Sequence, residues 1–95
     1  MHAVIRHYKG NPQLMDELAR RTSDVEQLIR EVPGFVTYCL ARTGDGGFSI
    51  SIYEDQAGTE ESTRRAAEWI KQNVPAAAES PPEVIQGETI VQFSR

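Results

Sequence analysis

The order of apolar and polar positions along the chain predicts strands alternating with helices. Residues 2–9 are rich in Val, Ile and Tyr and too few for a stable helix, which predicts a first strand. Apolar residues then recur at helical spacing. They are Leu14, Leu18, Val25, Leu28, Ile29 and Val32. Pro12 suits a first helical position, and Pro33-Gly34 suits a helix stop, so one long helix is predicted between residues 12 and 32.

Two strands joined by a tight hairpin are predicted next. Residues 35–42 carry apolar side chains on both faces, which is typical of a sheet covered on both sides. Val36, Tyr38 and Leu40 share one face, and Phe35, Thr37, Cys39 and Ala41 share the other. The Gly44–Gly47 run predicts the hairpin. Residues 48–53 then alternate strictly, with an apolar face of Phe48, Ile50 and Ile52. Ser49, Ser51 and Tyr53 form a polar face, for which an interface or rim position is expected.

The remaining segments complete a recognisable order of elements. A second helix is predicted over residues 59–74, closed by Pro75, and a connector over residues 76–82 has room for one helical turn. Residues 84–93 predict the last strand, with a bulge at Gly87. The order βαββαβ predicts an α+β, ferredoxin-like domain spanning residues 1–95. Its four-stranded antiparallel sheet carries two helices on one face, and a second copy of the chain would cover the other face in a homodimer.

Composition and charge narrow the possible partners and the chemistry. The 95 residues carry a net charge of -4 without a basic block, which excludes nucleic acid and anionic membranes as partners. No apolar run approaches the roughly 20 residues of a membrane helix. A single cysteine, Cys39, excludes an intramolecular disulfide and indicates a reducing cytoplasm. His2 and His7 lie five positions apart on one strand and point to opposite faces, so no metal site and no cofactor are predicted.

Four sequence segments carry a resemblance to a known family. They are the long first helix ending in Val32-Pro33-Gly34-Phe35, the strand Val36–Leu40, the Gly-rich hairpin, and Ala66-Ala67-Glu68-Trp69-Ile70 in the second helix. Together they resemble antibiotic-biosynthesis-monooxygenase-like domains of the dimeric α+β barrel superfamily. The resemblance covers nearly the whole chain and implies a ligand cavity within each monomer, between sheet and helices. Oxygenases of that family commonly have Asn one helical turn before the Trp, where this chain has Arg65. The haem-degrading members use a His beyond the Trp, and no His follows His7.

Candidate site residues follow from side-chain chemistry and the expected cavity. Trp69 offers a flat face for an aromatic ligand, although a Trp can equally seal a core. His7 is a candidate proton shuttle, or else a strand-end residue, and Arg65 is a candidate to stabilise a phenolate. His7 and Arg65 are therefore the predicted catalytic residues. The predicted ligand-binding residues are Trp69, Tyr38, Phe48, Ile50 and Ile52.

Three functions remain open from the sequence. The first is a homodimeric domain that binds a small apolar or aromatic ligand between sheet and helices. The second is a cofactor-independent monooxygenase acting on a quinol or polyphenol, in which the electron-rich substrate activates oxygen itself. The third is a structural dimerisation module without a ligand.

Overall fold

The protein is built on one four-stranded antiparallel sheet, in the strand order β2-β3-β1-β4. The structure is a computed structural model that describes residues 1–95. The strands are β1 (His2–Lys9), β2 (Phe35–Thr43), β3 (Gly46–Tyr53) and β4 (Glu83–Glu88). The helices are α1 (Pro12–Arg20), α2 (Thr22–Arg30) and α3 (Gln56–Asn73), and a 3-10 helix spans Pro75–Glu79. The predicted ferredoxin-like α+β fold is confirmed, including the helical turn in the connector.

The long first helix is divided in two, so the prediction of one continuous helix is wrong. Arg21 leaves helical geometry, with φ of -120° and ψ of 42°. The residues that follow are Thr, Ser and Asp, which favour helix starts over helix interiors because their side chains compete for backbone hydrogen bonds. The apolar stripe continues across the break, with Leu18 and Val25 both buried.

Helix α3 begins three residues earlier than predicted. The side chain of Asp55 accepts a hydrogen bond from the Gly58 backbone N–H at 3.0 Å, which satisfies one of the free donors of the first turn. The expected start at residue 59 is therefore wrong, and Glu60 and Glu61 lie beyond the first turn. Asp55, a residue type preferred at helix N-caps, is the sequence signal for this earlier start.

On β3 the polar face is buried against the helices and the apolar face points away from them, the reverse of what their polarity suggests. Ser49, Ser51 and Tyr53 are buried against the helices, and the Tyr53 hydroxyl donates to the Ile29 carbonyl oxygen at 3.3 Å. The expected rim or interface position of Tyr53 is wrong. Small hydroxyl side chains suit this layer because helix and sheet approach closely there: a Cβ on Gly58 would lie 2.7 Å from Tyr53 Cβ.

The other face of the sheet is apolar and lies away from the helices. In register across it, Ile5 of β1 stands between Ile50 of β3 and Ile85 of β4. Ile85 is 63% exposed and Ile50 37%. This outer face also carries Phe48 and Ile52. The second face of the sheet is therefore apolar, and no helix of this chain covers it.

Two irregularities in the strands differ from expectation. A register shift falls between Phe35 and Thr37, and it turns Phe35 towards the core, so the assignment of Phe35 to the outer face is wrong. Strand β4 ends at Glu88, short of the predicted residue 93. Gly87 pairs with Ala3 in unbroken register, which contradicts the predicted bulge. No helix has the length and apolarity needed to cross a membrane.

Candidate functional site

A cleft of about 530 Å³ opens between the helices α1 and α2 and the edge strand β2. Its lining is mainly apolar and comes from both helices and from the inner face of β2. The lining residues are Met15, Leu18, Ala19, Thr22, Val25, Glu26, Ile29, Arg30, Phe35, Tyr38, Leu40 and Arg42. A mainly apolar cavity of this size, with a few polar groups, is the usual form of a small-molecule site.

Charged residues at the mouth of the cleft are paired with one another. The Arg30 guanidinium contacts Glu26 at 2.6 Å and lies 5.4 Å from the centre of the Phe35 ring. Arg42 contacts Asp16 at 2.6 Å. These pairs are exposed to solvent and contribute little to stability, so they remain able to exchange partners.

A smaller inner void of about 20 Å³ lies behind the cleft, closer to the centre of the sheet. Such a volume holds about one water molecule. Cleft and inner void share four lining residues, Leu18, Val25, Ile29 and Tyr38. On its far side the inner void contacts Arg6, Tyr8 and Trp69, among others. The two spaces are therefore neighbours, separated by these four side chains.

Arg6 places a buried cation in the wall of the inner void. The side chain is 2% exposed and has no carboxylate within ion-pair distance. Both of its hydrogen bonds run from Nη1, to the hydroxyls of Ser62 and Thr63 at 3.2 Å each, and its Nε has no partner. An arginine stays charged in proteins, so its burial without a counter-ion is unfavourable by several kcal/mol. A site that keeps such a charge is suited to an anionic group from outside the chain.

Tyrosine hydroxyls surround the same region. Burial raises the pKa of the Tyr38 hydroxyl to about 12, although the nearby Arg6 acts in the opposite direction. Burial also raises the pKa of Tyr53. Both groups therefore stay protonated at neutral pH, and a protonated Tyr38 can donate a hydrogen bond to a ligand oxygen.

Trp69 and Tyr38 line one space, the inner void. Both contact the inner void, and both pack against the core cluster. The Arg21 guanidinium lies over the Trp69 ring, 5.6 Å from the ring centre. The indole thus closes the inner void on the α3 side while it also packs in the core.

The predicted catalytic residues are not brought to this cleft. His7 follows Arg6 on β1, and the alternation of the strand turns it to the outer face, where its Nδ1 lies 3.6 Å from Glu83 Oε1. Arg65 contacts Glu61 at 2.7 Å and lines neither the cleft nor the inner void. With Arg64 and Arg65 beside it, the Glu61 carboxyl has a pKa of about 2. The expected arrangement of His7, Arg65 and Trp69 around one cavity is therefore wrong.

Three of the predicted ligand contacts also lie elsewhere. Phe48, Ile50 and Ile52 share the outer face of β3, while Tyr38 and Trp69 lie on the helix side of the sheet. Placing all five in one site is wrong, because the apolar side of β3 does not face the helices.

The structure adds groups to the site that the sequence reasoning missed. Arg6 is the most important of these, and the available signal was its position two residues from Val4 and two from Tyr8 on the same strand. Strand alternation puts all three on one face, and the two apolar neighbours are both buried. Leu18, Val25 and Ile29 had been identified only as a core stripe.

Comparison with known proteins identifies the fold. No family model matches the sequence, and no curated protein matches it. Solved structures do match. A protein of unknown function from Nitrosomonas europaea has a TM-score of 0.75 at 18% identity, over 99% of this chain and 93% of that one. The monooxygenase ActVA-Orf6 of Streptomyces coelicolor, in complex with nanaomycin D, has a TM-score of 0.61 at 20% identity, over 99% and 90%.

A heme-degrading protein from Mycobacterium tuberculosis, solved without heme, has a TM-score of 0.62 at 18% identity, over 99% of this chain and 100% of that one. The chain has the antibiotic-biosynthesis-monooxygenase-like fold. In this monooxygenase-like fold, the cleft lies between sheet and helices of one chain, where the resemblance in sequence led us to expect a cavity. Proteins of this fold differ in activity, so the residues of the cleft must decide the function.

Proposed function

We propose that this protein binds a small apolar or aromatic molecule in the cleft between α1, α2 and β2. The observation that carries the proposal is the mainly apolar cleft of about 530 Å³, which Tyr38 lines together with residues of α1 and α2. A chain that served only as a dimerisation module would gain stability by filling this space with side chains. The complex of ActVA-Orf6 with nanaomycin D supports the proposal by similarity of fold.

A cofactor-independent monooxygenase is the second candidate. Its support is the same neighbour, and the cleft could exclude water from a phenolic substrate. Such chemistry needs a proton acceptor. The buried polar residues are arginine, serine and threonine, with neither imidazole nor carboxylate among them, and Glu26 in the cleft wall is exposed and paired with Arg30. Binding without oxidation is therefore the better-supported function.

The binding proposal is tested by isothermal titration calorimetry with 2-naphthol, a neutral aromatic molecule. Ala19 is an exposed residue of α1 in the cleft wall, and Ala19→Phe places a ring in the cleft without entering the core. Ala67→Phe is the matched control, because Ala67 is exposed on α3 and lines neither space.

We expect wild type and Ala67→Phe to bind 2-naphthol equally. Ala19→Phe should bind it about fivefold to thirtyfold more weakly, because its ring occupies space that the ligand needs and the lost contacts are worth about 1–2 kcal/mol. Equal affinity in all three proteins would show that the ligand binds elsewhere. Oxygen consumption with hydroquinones, measured on the same proteins, would favour the monooxygenase over simple binding.

We further propose that two chains associate through the outer sheet face. Its isoleucines lie in register on three strands, an apolar surface larger than scattered exposed residues would give. A second copy that covers the face would bury these isoleucines. After the edge strand β4 the chain continues with Ile90, Val91 and Phe93, which are 72–87% exposed. We also propose a cytoplasmic location, because the exposed free thiol of Cys39 suits a reducing compartment.

A further inference from the structure

We infer that the ligand of the cleft carries an ionised acidic group, which the buried guanidinium of Arg6 binds at the inner end. This inference rests on the proposed function and names the chemical class of the ligand: an aromatic carboxylate or a comparably acidic phenol. It is carried by three observations on the helix–sheet layer.

The first observation is the unbalanced charge of Arg6. The side chain is 2% exposed, no acidic residue pairs with it, and its Nε has no hydrogen-bond partner. The ion pairs of the chain use other cations, which are Arg20, Arg21, Arg30, Arg42, Arg64 and Arg65. Arg6 is thus a buried cation whose own chain supplies only hydroxyl partners.

The second observation is the space beside it. The inner void contacts Arg6 and has about the volume of one water molecule, so an oxygen atom of a bound acid can occupy it. The void and the cleft share the wall residues Leu18, Val25, Ile29 and Tyr38. An aromatic body in the cleft therefore lies one layer of side chains from Arg6, and its acidic group reaches the guanidinium where these side chains move apart.

The third observation is the set of neutral donors around the cation. Tyr38 lines both spaces, and its hydroxyl can donate to the oxygen that Arg6 binds. Ser49 stands opposite Arg6 on β3 and its hydroxyl oxygen has no partner. Donors without an acidic group among them favour an anion and disfavour a second cation.

The experiment compares 2-naphthoate with 2-naphthamide, which share a ring system and differ in charge. Calorimetric titrations at neutral pH and high salt use wild type, Arg6→Met and Arg42→Met. High salt screens the arginines at the cleft mouth far more than the buried Arg6. Arg42→Met is the matched control because Arg42 is an exposed cation of the cleft wall.

We expect wild type and Arg42→Met to bind 2-naphthoate about tenfold to a hundredfold more tightly than 2-naphthamide, as one charge-assisted hydrogen bond provides. Arg6→Met should lose this preference and still bind 2-naphthol. A wild type that binds 2-naphthol but shows no preference for 2-naphthoate overturns this inference alone. A preference that disappears in Arg42→Met and persists in Arg6→Met also overturns it. A wild type that binds none of the three molecules overturns the cleft proposal together with this inference.

The wild-type comparison stands even if Arg6→Met does not fold. A second readout comes from the melting temperature of wild type, which should rise with added 2-naphthoate and less with 2-naphthamide at equal concentration, because a ligand stabilises the folded state in proportion to its binding. Equal shifts for the two molecules would contradict a buried cation as the recognition element.

Discussion

Tyr38 is the residue whose protonation connects the cleft with the stability of the fold. Its hydroxyl has a pKa of about 12 in the folded protein because of burial, and near 10 when unfolded. The raised value means that the folded state holds the proton more tightly, so this stabilisation is complete below pH 10 and is lost as the pH rises through 12. A shift of this size corresponds to about 2–3 kcal/mol.

The prediction is therefore that wild type loses stability steeply between about pH 10 and pH 12, and Tyr38→Phe loses about 2–3 kcal/mol less over the same interval. Denaturant unfolding at several pH values measures the difference. Tyr53 titrates in the same direction, so Tyr38→Phe keeps part of the pH dependence. Parallel curves for the two proteins would show that Tyr38 is not desolvated.

Arg6 illustrates what a sequence reveals at the scale of one residue. Strand alternation alone was enough to place it on the same face as Val4 and Tyr8, but which face meets the helices depends on the tertiary structure. A charged residue among apolar ones on a strand is normally expected at the surface, because burial of an unpaired charge is unfavourable. His7 is the more usual acid–base side chain, but as the next residue on β1 it points to the face opposite Arg6.

At the scale of elements, the kinds of element and their order could be predicted, while face and boundary assignments were less secure. Hydrophobic periodicity is local information, and it located every strand and helix of the ferredoxin-like order. Which side of β3 faces the helices is not local: Ser49, Ser51 and Tyr53 are buried because α3 approaches closely at Gly58 and contributes its own hydroxyl residues. The break at Arg21 escaped prediction because the apolar stripe runs through it.

The close approach of α3 and β3 makes a prediction about Gly58. An alanine in an ordinary helical position stabilises by about 1 kcal/mol relative to glycine. Here its Cβ would lie 2.7 Å from Tyr53 Cβ, and overpacking of that kind costs about 1–3 kcal/mol. We expect Gly58→Ala to destabilise the protein by about 1–2 kcal/mol in urea unfolding. Gly44→Ala is the control, since nothing lies within 4 Å of its added Cβ. A stabilised Gly58→Ala would contradict the packing of this layer.

At the scale of the whole molecule, two surfaces of the sheet have separate roles in this account. The inner face, with the helices, surrounds the cleft, and the outer face is proposed to join two chains. The sequence indicated both roles, and its error was to draw the ligand contacts from both faces at once. The separation means that the two roles can be tested independently.

The dimer proposal predicts a mass of about twice 10.6 kDa by light scattering at micromolar concentration. Ile50→Glu places a charge at the centre of the outer face and should yield a single chain, because an unpaired buried charge opposes association. Ala67→Glu, on the exposed side of α3, should leave the mass unchanged. A single-chain mass for the unmodified protein would contradict the proposal.

The central claim, that a ligand occupies the cleft on the helix side of the sheet, is tested most directly by methyl NMR spectra during titration with 2-naphthol. We expect shifts for Leu18, Val25, Ile29 and Leu40, whose side chains line the cleft. Ile5, Ile50, Ile52 and Ile85 on the outer face should stay unchanged. Shifts confined to the outer-face isoleucines, or no shifts in either group at saturating ligand, would contradict it.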